Sequence, residues 1–173
     1  MAAIMNLTTY LNWSIIIPKN KFIEHGGIQT ITNYLSLRNI PGEKQINDFK
    51  DVIREQFYHH AQFLDGLPCY FEDDNHIFVH AGLNPHYPLW KEQPKSDFLY
   101  IKGEFYHNPV RVDKTVVFGH TKTIDLHGTP EIWFKDGKIG IDGGCAYGHQ
   151  MNCLLIKGSN EYHSYKINSN IKS

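Results

Sequence analysis

Two histidines stand directly after short hydrophobic segments that have the composition of buried strands. His80 follows Ile77-Phe78-Val79, and His120 follows Val116-Val117-Phe118-Gly119. Small residues beside both histidines allow backbone and ligands to approach closely. If the two segments are neighbouring strands of one sheet, the imidazoles converge, and histidines on rigid strand ends suit zinc, manganese, iron or nickel. The sequence therefore predicts a site for divalent transition metals at one end of a sheet.

Three sequence motifs, taken together, indicate a functional site more strongly than either histidine does alone. They are Phe78-Val79-His80-Ala81-Gly82-Leu83-Asn84-Pro85, Phe118-Gly119-His120-Thr121 and Ile141-Asp142-Gly143-Gly144-Cys145-Ala146-Tyr147-Gly148. In this order and spacing they closely resemble the last three motifs of the calcineurin-like metallophosphoesterases. Within that superfamily they look most like the bacterial serine/threonine phosphoprotein phosphatases, a group that also includes the symmetrical dinucleoside tetraphosphatases. The resemblance runs from about Leu11 to Ile167.

The resemblance implies both a fold and an activity. The family fold, of the α+β or α/β class, packs two sheets face to face with helices outside. Its two divalent metal ions (manganese, iron, zinc or nickel) bind a phosphate between them and direct a metal-activated hydroxide at phosphorus. His80 and His120 match metal ligands of the family. Because phosphate esters repel anionic nucleophiles, the two cations neutralise charge and hold the attack in line.

Four further residues are expected around the histidine pair. Lys102 lies where relatives carry a phosphate-binding arginine, so the positive charge is kept but the two-point hydrogen bonding of arginine to phosphate is lost. That Lys102 is an ordinary solvated lysine is an equal alternative. Asp142 ends a strand, and we favour a hydrogen-bonding role in support of the ligands over direct ligation. Gly119 and Thr121 flank His120 and are expected to support it as well.

The upstream metal motifs of the family are not found in the segment before His80. In relatives, Asp-x-His, Gly-Asp-x-x-Asp-Arg and Gly-Asn-His-Asp/Glu supply the other ligands, an arginine and the proton donor, and residues 73–76 form a turn in the wrong place for them. We therefore expect the C-terminal part of such an enzyme, with half of the metal set, no catalytic acid and an incomplete first sheet. Three explanations stay open: an artificial or mispredicted start, a natural split protein with a separate N-terminal half, and a degenerate binding module.

Periodicity divides the chain into a helical first part, 1–66, and a part made mainly of strands, 68–167. The clearest amphipathic helix covers 45–64, where apolar residues recur at three- and four-residue steps. Shorter helices are expected over 2–13 and 28–37. Seven strands are predicted, with turns at 73–75 and 136–137: 69–72, 76–80, 114–118, 131–134, 138–142, 152–156 and 163–167. We interpret 1–173 as a single domain, incomplete at its N-terminus.

Composition limits the partners and the compartment. Hydrophobic residues make up 41% of the 173 residues and the formal net charge is -1, so we expect a folded domain that attracts neither a nucleic acid polymer nor a membrane by charge. Three cysteines without metal-binding spacing favour a reducing cytoplasm, and neither a membrane helix nor a signal peptide is predicted.

Competing functions remain at this point. The leading interpretation is a metal-dependent hydrolase of phosphate esters, similar to serine/threonine phosphoprotein phosphatases, whose substrate is a phosphorylated protein or a nucleotide. One alternative is a dinucleoside tetraphosphatase, which differs mainly in the loops around a common metal centre. The other is a noncatalytic binding or scaffold domain that kept the fold.

Overall fold

The computed structural model describes residues 26–36 and 46–170 of the chain. The chain divides into two compact units, residues 1–67 and residues 68–173. This division coincides with the change from helical to strand-like periodicity in the sequence. The predicted helix over 2–13 lies outside the described residues, and the interpretation of 1–173 as a single domain stays a prediction.

Three helices form the described part of the first unit. They are α1 (Ile28–Ser36), α2 (Ile46–Gln56) and α3 (Tyr58–Asp65). Helix α1 agrees with the helix predicted over 28–37 to within one residue.

The prediction of one continuous helix over 45–64 is wrong, because the helix breaks at Phe57. This residue has φ of −128° and ψ of 21°, outside the helical region. Its side chain is buried, and its ring meets that of Tyr34 edge-on with centroids 4.9 Å apart. The backbone N–H of Phe57 still donates to the Ile53 oxygen at 3.0 Å, and its oxygen accepts from the His60 N–H at 2.9 Å. The break therefore buries a bulky ring while both backbone groups stay paired.

Five strands of the second unit form one mixed sheet. They are β1 (Tyr70–Glu72), β2 (His76–Val79), β3 (Thr115–Phe118), β4 (Trp133–Lys135) and β5 (Lys138–Gly140). Their order across the sheet is β1-β2-β3-β5-β4. Strands β2, β3 and β5 run parallel, and β1 and β4 lie antiparallel at the two edges. Parallel strands are covered on both faces, which explains the near-continuous apolar runs that reveal β2 and β3 in the sequence.

Both faces of this sheet carry hydrophobic core. Alternating side chains point to opposite faces of a strand, so Val116 and Phe118 of β3 lie in one cluster and Val117 in the other. The larger cluster also contains Phe98 and Phe105, which come from the long connection between β2 and β3. Its residues are Ile77, Val79, Leu83, Phe98, Phe105, Val116, Phe118 and Trp133.

A two-stranded antiparallel hairpin covers the other face. It consists of β6 (Gln150–Lys157) and β7 (Glu161–Asn168). Leu154, Ile156 and Tyr162 pack against the cluster that contains Val117, Ile132 and Ile139. The outer face of the hairpin carries four exposed large apolar side chains, Met151, Leu155, Tyr165 and Ile167. The second unit is thus a mixed α/β structure with two sheets, and the calcineurin-like arrangement of the whole family fold stays an expectation.

Short helical elements complete the second unit. They are α4 (Lys95–Tyr100), α5 (Gly103–Tyr106) and α6 (Thr123–His127), with 3-10 turns at Trp90–Glu92 and Cys145–Tyr147. None of them was predicted, because segments of three to six residues are too short to show a helical period. No helix in the described ranges is long and apolar enough to cross a membrane.

All seven predicted strands are present, each with ends within two residues of the prediction. The turn predicted at 136–137 joins β4 to β5, with φ of +48° at Asp136 and +71° at Gly137. Two consecutive positive φ values match the right-handed twist of the flanking strands, which is why Asp-Gly favours this kind of hairpin.

Candidate functional site

His80 and His120 meet at the carboxyl edge of the five-stranded sheet. Strands β2 and β3 are adjacent and parallel, with Val79 opposite Phe118, so both histidines leave the sheet at the same end. Their ring centroids lie 5.1 Å apart with the planes inclined at 54°. The Gly119 N–H donates to the His80 carbonyl oxygen at 2.9 Å and continues the ladder past the last paired residues. The structure therefore brings together the two residues that the sequence predicts as a pair, at the edge where open α/β sheets bind ligands.

The backbone of His120 reverses sharply where β3 ends. Its φ is +65°, a left-handed conformation that residues other than glycine seldom adopt. The Thr121 N–H then donates to the Gly119 oxygen at 2.7 Å, which closes the reversal. A non-glycine residue in this region costs about 1–3 kcal/mol, and such strain is concentrated at functional sites.

Burial makes both imidazoles poor bases. Burial lowers the pKa of His120 to about 4; the nearby His80 and Lys102 charges act in the same direction, and Asp142 opposes them. Burial likewise lowers the pKa of His80, again against the attraction of Asp142. Both rings are therefore neutral near pH 7 and carry a free nitrogen lone pair, the form in which histidine ligates metals.

Asp142 follows β5, the next parallel strand along the sheet. Its Oδ1 accepts from the Gly144 N–H at 3.0 Å, and its backbone oxygen accepts from the Thr123 N–H at 2.8 Å and the Thr123 hydroxyl at 3.2 Å. These contacts tie the loop after β5 to the start of α6. Asp142 acts on the pKa of both histidines as a nearby negative charge, while its predicted supporting role stays a prediction.

Thr121 is the polar group beside the pair whose hydrogen bonding is incomplete. The residue is 6% exposed, and within the described part of the chain its Oγ1 has no hydrogen-bond partner. A buried hydroxyl left unpaired costs about 1–3 kcal/mol, so such groups are normally met by water or a ligand. This hydroxyl fits a site that is completed by a polar group from outside the chain.

Gly119 leaves space between the ends of the parallel strands β2 and β5. A Cβ at this position would lie 3.7 Å from the His80 oxygen and 3.9 Å from the Cβ of Asp142. These are ordinary contact distances, so the glycine keeps a small volume open beside the site rather than preventing a clash.

Lys102 and Tyr100 approach the site from the connection between β2 and β3. Lys102 is exposed, directly before α5, and its charge contributes to the lowered pKa of His120. The Tyr100 ring lies 6.1 Å from the His120 ring, edge-on. The sequence analysis did not single out Tyr100, although it stands only two residues before Lys102. The phosphate-binding role of Lys102 stays a prediction.

The two imidazoles are ligands of a type that divalent transition metals accept, but they form only part of a complete ligand set. Two neutral imidazoles on rigid strand ends are ligands that zinc, manganese, iron or nickel accept. Within 26–36 and 46–170, no three His, Cys, Asp or Glu side chains are grouped so that they could hold a metal ion. A complete metal site would therefore need ligands in addition to His80 and His120.

Comparisons with known proteins give one partial relative. Over 65 residues, 37% of this chain, the sequence is 38% identical to the symmetrical bis(5'-nucleosyl)-tetraphosphatase of Erwinia tasmaniensis. The matched segment covers 22% of that protein, so the chain matches about a fifth of the length of its relative. No family model and no solved structure matches the chain. Part of the chain is thus similar to a phosphatase, which suggests a hydrolase.

Proposed function

We propose that this chain supplies half of the metal-binding set of a metal-dependent hydrolase that acts on phosphate esters. The observation that carries the proposal is the close approach of His80 and His120 at the ends of adjacent parallel strands. The lowered pKa of both imidazoles, caused mainly by burial, is consistent with it. The partial similarity to a named tetraphosphatase supports the same class of reaction.

In this proposal His80 and His120 hold two divalent ions, manganese, iron, zinc or nickel, together with ligands from elsewhere. Bound ions of this kind neutralise phosphate charge and lower the pKa of a coordinated water. Lys102 adds a positive charge on the approach to the site and attracts the phosphoryl oxygens. Thr121 offers its buried hydroxyl as a hydrogen-bond donor or acceptor to the group that completes the site.

The remaining ligands and the proton donor come, in this proposal, from a segment that bears the other family motifs, such as a separate N-terminal half. The substrate class is a phosphorylated protein or a nucleotide, and the compartment is the reducing cytoplasm. Neither a nucleic acid polymer nor a membrane is a proposed partner, because the net charge of -1 provides no broad attraction.

A dinucleoside tetraphosphatase is the second candidate. The observation in its favour is the name of the partial relative from Erwinia tasmaniensis, a symmetrical bis(5'-nucleosyl)-tetraphosphatase. Both candidates use the same histidine pair and differ in the residues that contact the organic part of the substrate. A noncatalytic scaffold is the third candidate and requires no metal.

Hydrolysis of para-nitrophenyl phosphate with manganese, zinc or nickel tests the proposal. We expect negligible turnover by the 173-residue chain alone. The proposed site has two metal ligands and one lysine, whereas hydrolysis also requires further metal ligands and a proton donor for the leaving group. Adding a segment with the missing motifs, fused or as a separate chain, is expected to produce turnover.

His120→Ala should then abolish this turnover, whereas His163→Ala should preserve it. His163 is a suitable control because it lies on β7, away from the strand ends, paired with Glu161 at 2.6 Å. Absence of turnover in every combination would favour the scaffold. Turnover that survives His80→Ala and His120→Ala would remove the histidine pair from the mechanism.

A further inference from the structure

We propose that Tyr147 is a stacking platform for the base of a nucleotide bound at the histidine site. This inference rests on the proposed function and deepens it, because it names the residue that would favour nucleotides over other phosphate esters.

Tyr147 presents an aromatic ring to solvent from a tightly closed turn. The ring belongs to the 3-10 turn Cys145–Tyr147, and the residue is 68% exposed. Its N–H donates to the Gly144 oxygen at 2.9 Å, and the Gly148 N–H donates to the Cys145 oxygen at 3.2 Å. Gly144 and Gly148 on either side have φ of +68° and +83°, which glycine adopts readily. The backbone that carries the ring is therefore well defined although the ring is open to solvent.

Two connections link this turn to residues close to the histidine pair. Lys122, two residues after His120, has its Nζ 4.8 Å from the centroid of the Tyr147 ring. At the other end, Gly144 donates its N–H to Oδ1 of Asp142, whose charge acts on both histidines. The turn is thus tied to the residues that follow two of the three parallel strands.

The chemistry of this ring suits a base better than it suits a core contact. A lysine ammonium within about 6 Å of an aromatic centroid is attracted to the ring face and helps to fix its position. The exposed part of the ring can stack with a base, and stacking accepts any base because each has a π face. A phosphate held at the histidines and a base on Tyr147 together describe a nucleotide.

The test compares two ligands that differ only in the base. Dissociation constants of adenosine 5'-monophosphate and ribose 5-phosphate are measured by NMR titration of the 173-residue chain with excess zinc. We expect the chain to bind the nucleotide at least about fivefold more tightly. Tyr147→Ala should remove this preference and leave ribose 5-phosphate binding unchanged, whereas Tyr147→Trp should retain it. Tyr165→Ala, at a tyrosine of β7 that is 58% exposed, is the matched control and should change neither constant.

The outcomes separate this inference from the proposed function. Equal affinity of the unsubstituted chain for the two ligands would overturn the role of Tyr147 and leave the phosphate site of the proposed function standing, whereas failure to bind either ligand would overturn both. A preference that persists in Tyr147→Ala would overturn it as well. Nucleotide binding that depends on Tyr147 and is unaffected by His120→Ala would support the stacking role and contradict the phosphate site.

Discussion

His120 combines two unfavourable features at one position. Its backbone lies in the left-handed region with φ of +65°, and its ring is half-buried beside a second imidazole and within the field of a lysine. Folding therefore stabilises the neutral ring over the charged one. This preference can be measured without any metal present.

We expect His120 to titrate well below the ordinary histidine pKa of 6.5, near about 4. Burial is the largest cause, and the neighbouring His80 and Lys102 charges add to it. NMR titration of the ring resonances measures the value, and loss of the signal in His120→Gln identifies the resonance. A midpoint at 6.5 or higher would show that the ring is solvated.

The same shift makes stability depend on pH in a defined direction. Between pH 6.5 and about 4 the unfolded chain binds a proton at His120 that the folded chain does not bind. The free energy of unfolding is therefore expected to fall as the pH is lowered through this window. Urea unfolding at pH 7 and pH 5 measures the loss, which should be smaller in His120→Gln than in the unsubstituted chain. An equal loss in both proteins would assign the pH dependence to other groups.

Gly82, two residues after His80, is required by close packing. A Cβ at this position would overlap the ring of Phe105, which is fully buried. We expect Gly82→Ala to lower the free energy of unfolding by about 1–3 kcal/mol, as overpacking does elsewhere. Gly103→Ala is the control, because its Cβ would meet only ordinary contacts. Urea unfolding of both variants decides the matter, and equal stabilities would contradict the packing argument.

Among the elements, the hairpin of β6 and β7 is joined to the five-stranded sheet by a polar contact as well as by hydrophobic packing. His76, at the start of β2, is 1% exposed; its Nε2 lies 3.0 Å from the Tyr162 hydroxyl and its Nδ1 lies 3.2 Å from Oδ1 of Asp73. One buried ring thus links a turn, a central strand and β7.

We expect His76→Leu to lower the free energy of unfolding by about 1–3 kcal/mol, because polar partners lose their hydrogen bonds near the core. Urea unfolding measures it, and a double-mutant cycle with Tyr162→Phe isolates the share that belongs to the hairpin contact. His163→Ala, at the histidine of β7, which is more exposed than His76, should lower the free energy of unfolding much less. Similar losses in both single variants would mean that the buried contact is not the cause.

The outer face of the hairpin gives the opposite expectation. Leu155 and Ile167 are 40% and 67% exposed, whereas Leu154 and Ile156 pack inward. Ile167→Lys should change the free energy of unfolding, measured in urea, by less than about 0.5 kcal/mol. Ile156→Lys should be strongly destabilising. A large loss of stability in Ile167→Lys would show that this face is covered in solution.

The elements of the fold differ in how clearly the sequence indicates them. The continuous apolar runs predict strands β2 and β3, and the Asp-Gly pair predicts the turn after β4. The two matching strand ends predict the His80 and His120 pair. Tertiary packing decides the remainder. The break at Phe57 coincides with the packing of its ring against Tyr34, and the reversal at His120 and the hydroxyl of Thr121, which is unpaired within the described residues, lie where the ends of several strands meet. Contacts between residues far apart in the chain produce no periodic pattern in the local sequence.

For the whole molecule, near-neutral charge means that any anion is held by local groups and not by a general field. Two such groups are Lys102, whose charge contributes to the lowered pKa of His120, and Lys122, which stands two residues after His120 in the sequence. Metal affinity is limited in a similar way, because two neutral imidazoles add no negative charge to balance two divalent ions.

We expect the 173-residue chain to bind zinc far more weakly than a four-ligand protein site does, since half of the set or less is present. Isothermal calorimetry and metal analysis after gel filtration measure this affinity. His80→Ala should weaken it further, and His163→Ala should not. Two ions retained per chain through gel filtration would reveal ligands beyond the histidine pair.

The order of the strands also has a consequence for how the chain folds. The antiparallel pairs β1–β2, β4–β5 and β6–β7 join neighbours in sequence, so each can form early and locally. The parallel pairing of β2 with β3 must wait until the connection from Val79 to Thr115 has closed, because long loops delay the contacts they join. The two imidazoles can meet only when that pairing is complete. Their contact is therefore a late event, and a spectroscopic probe at His80 would report the end of folding, after the hairpins are already in place.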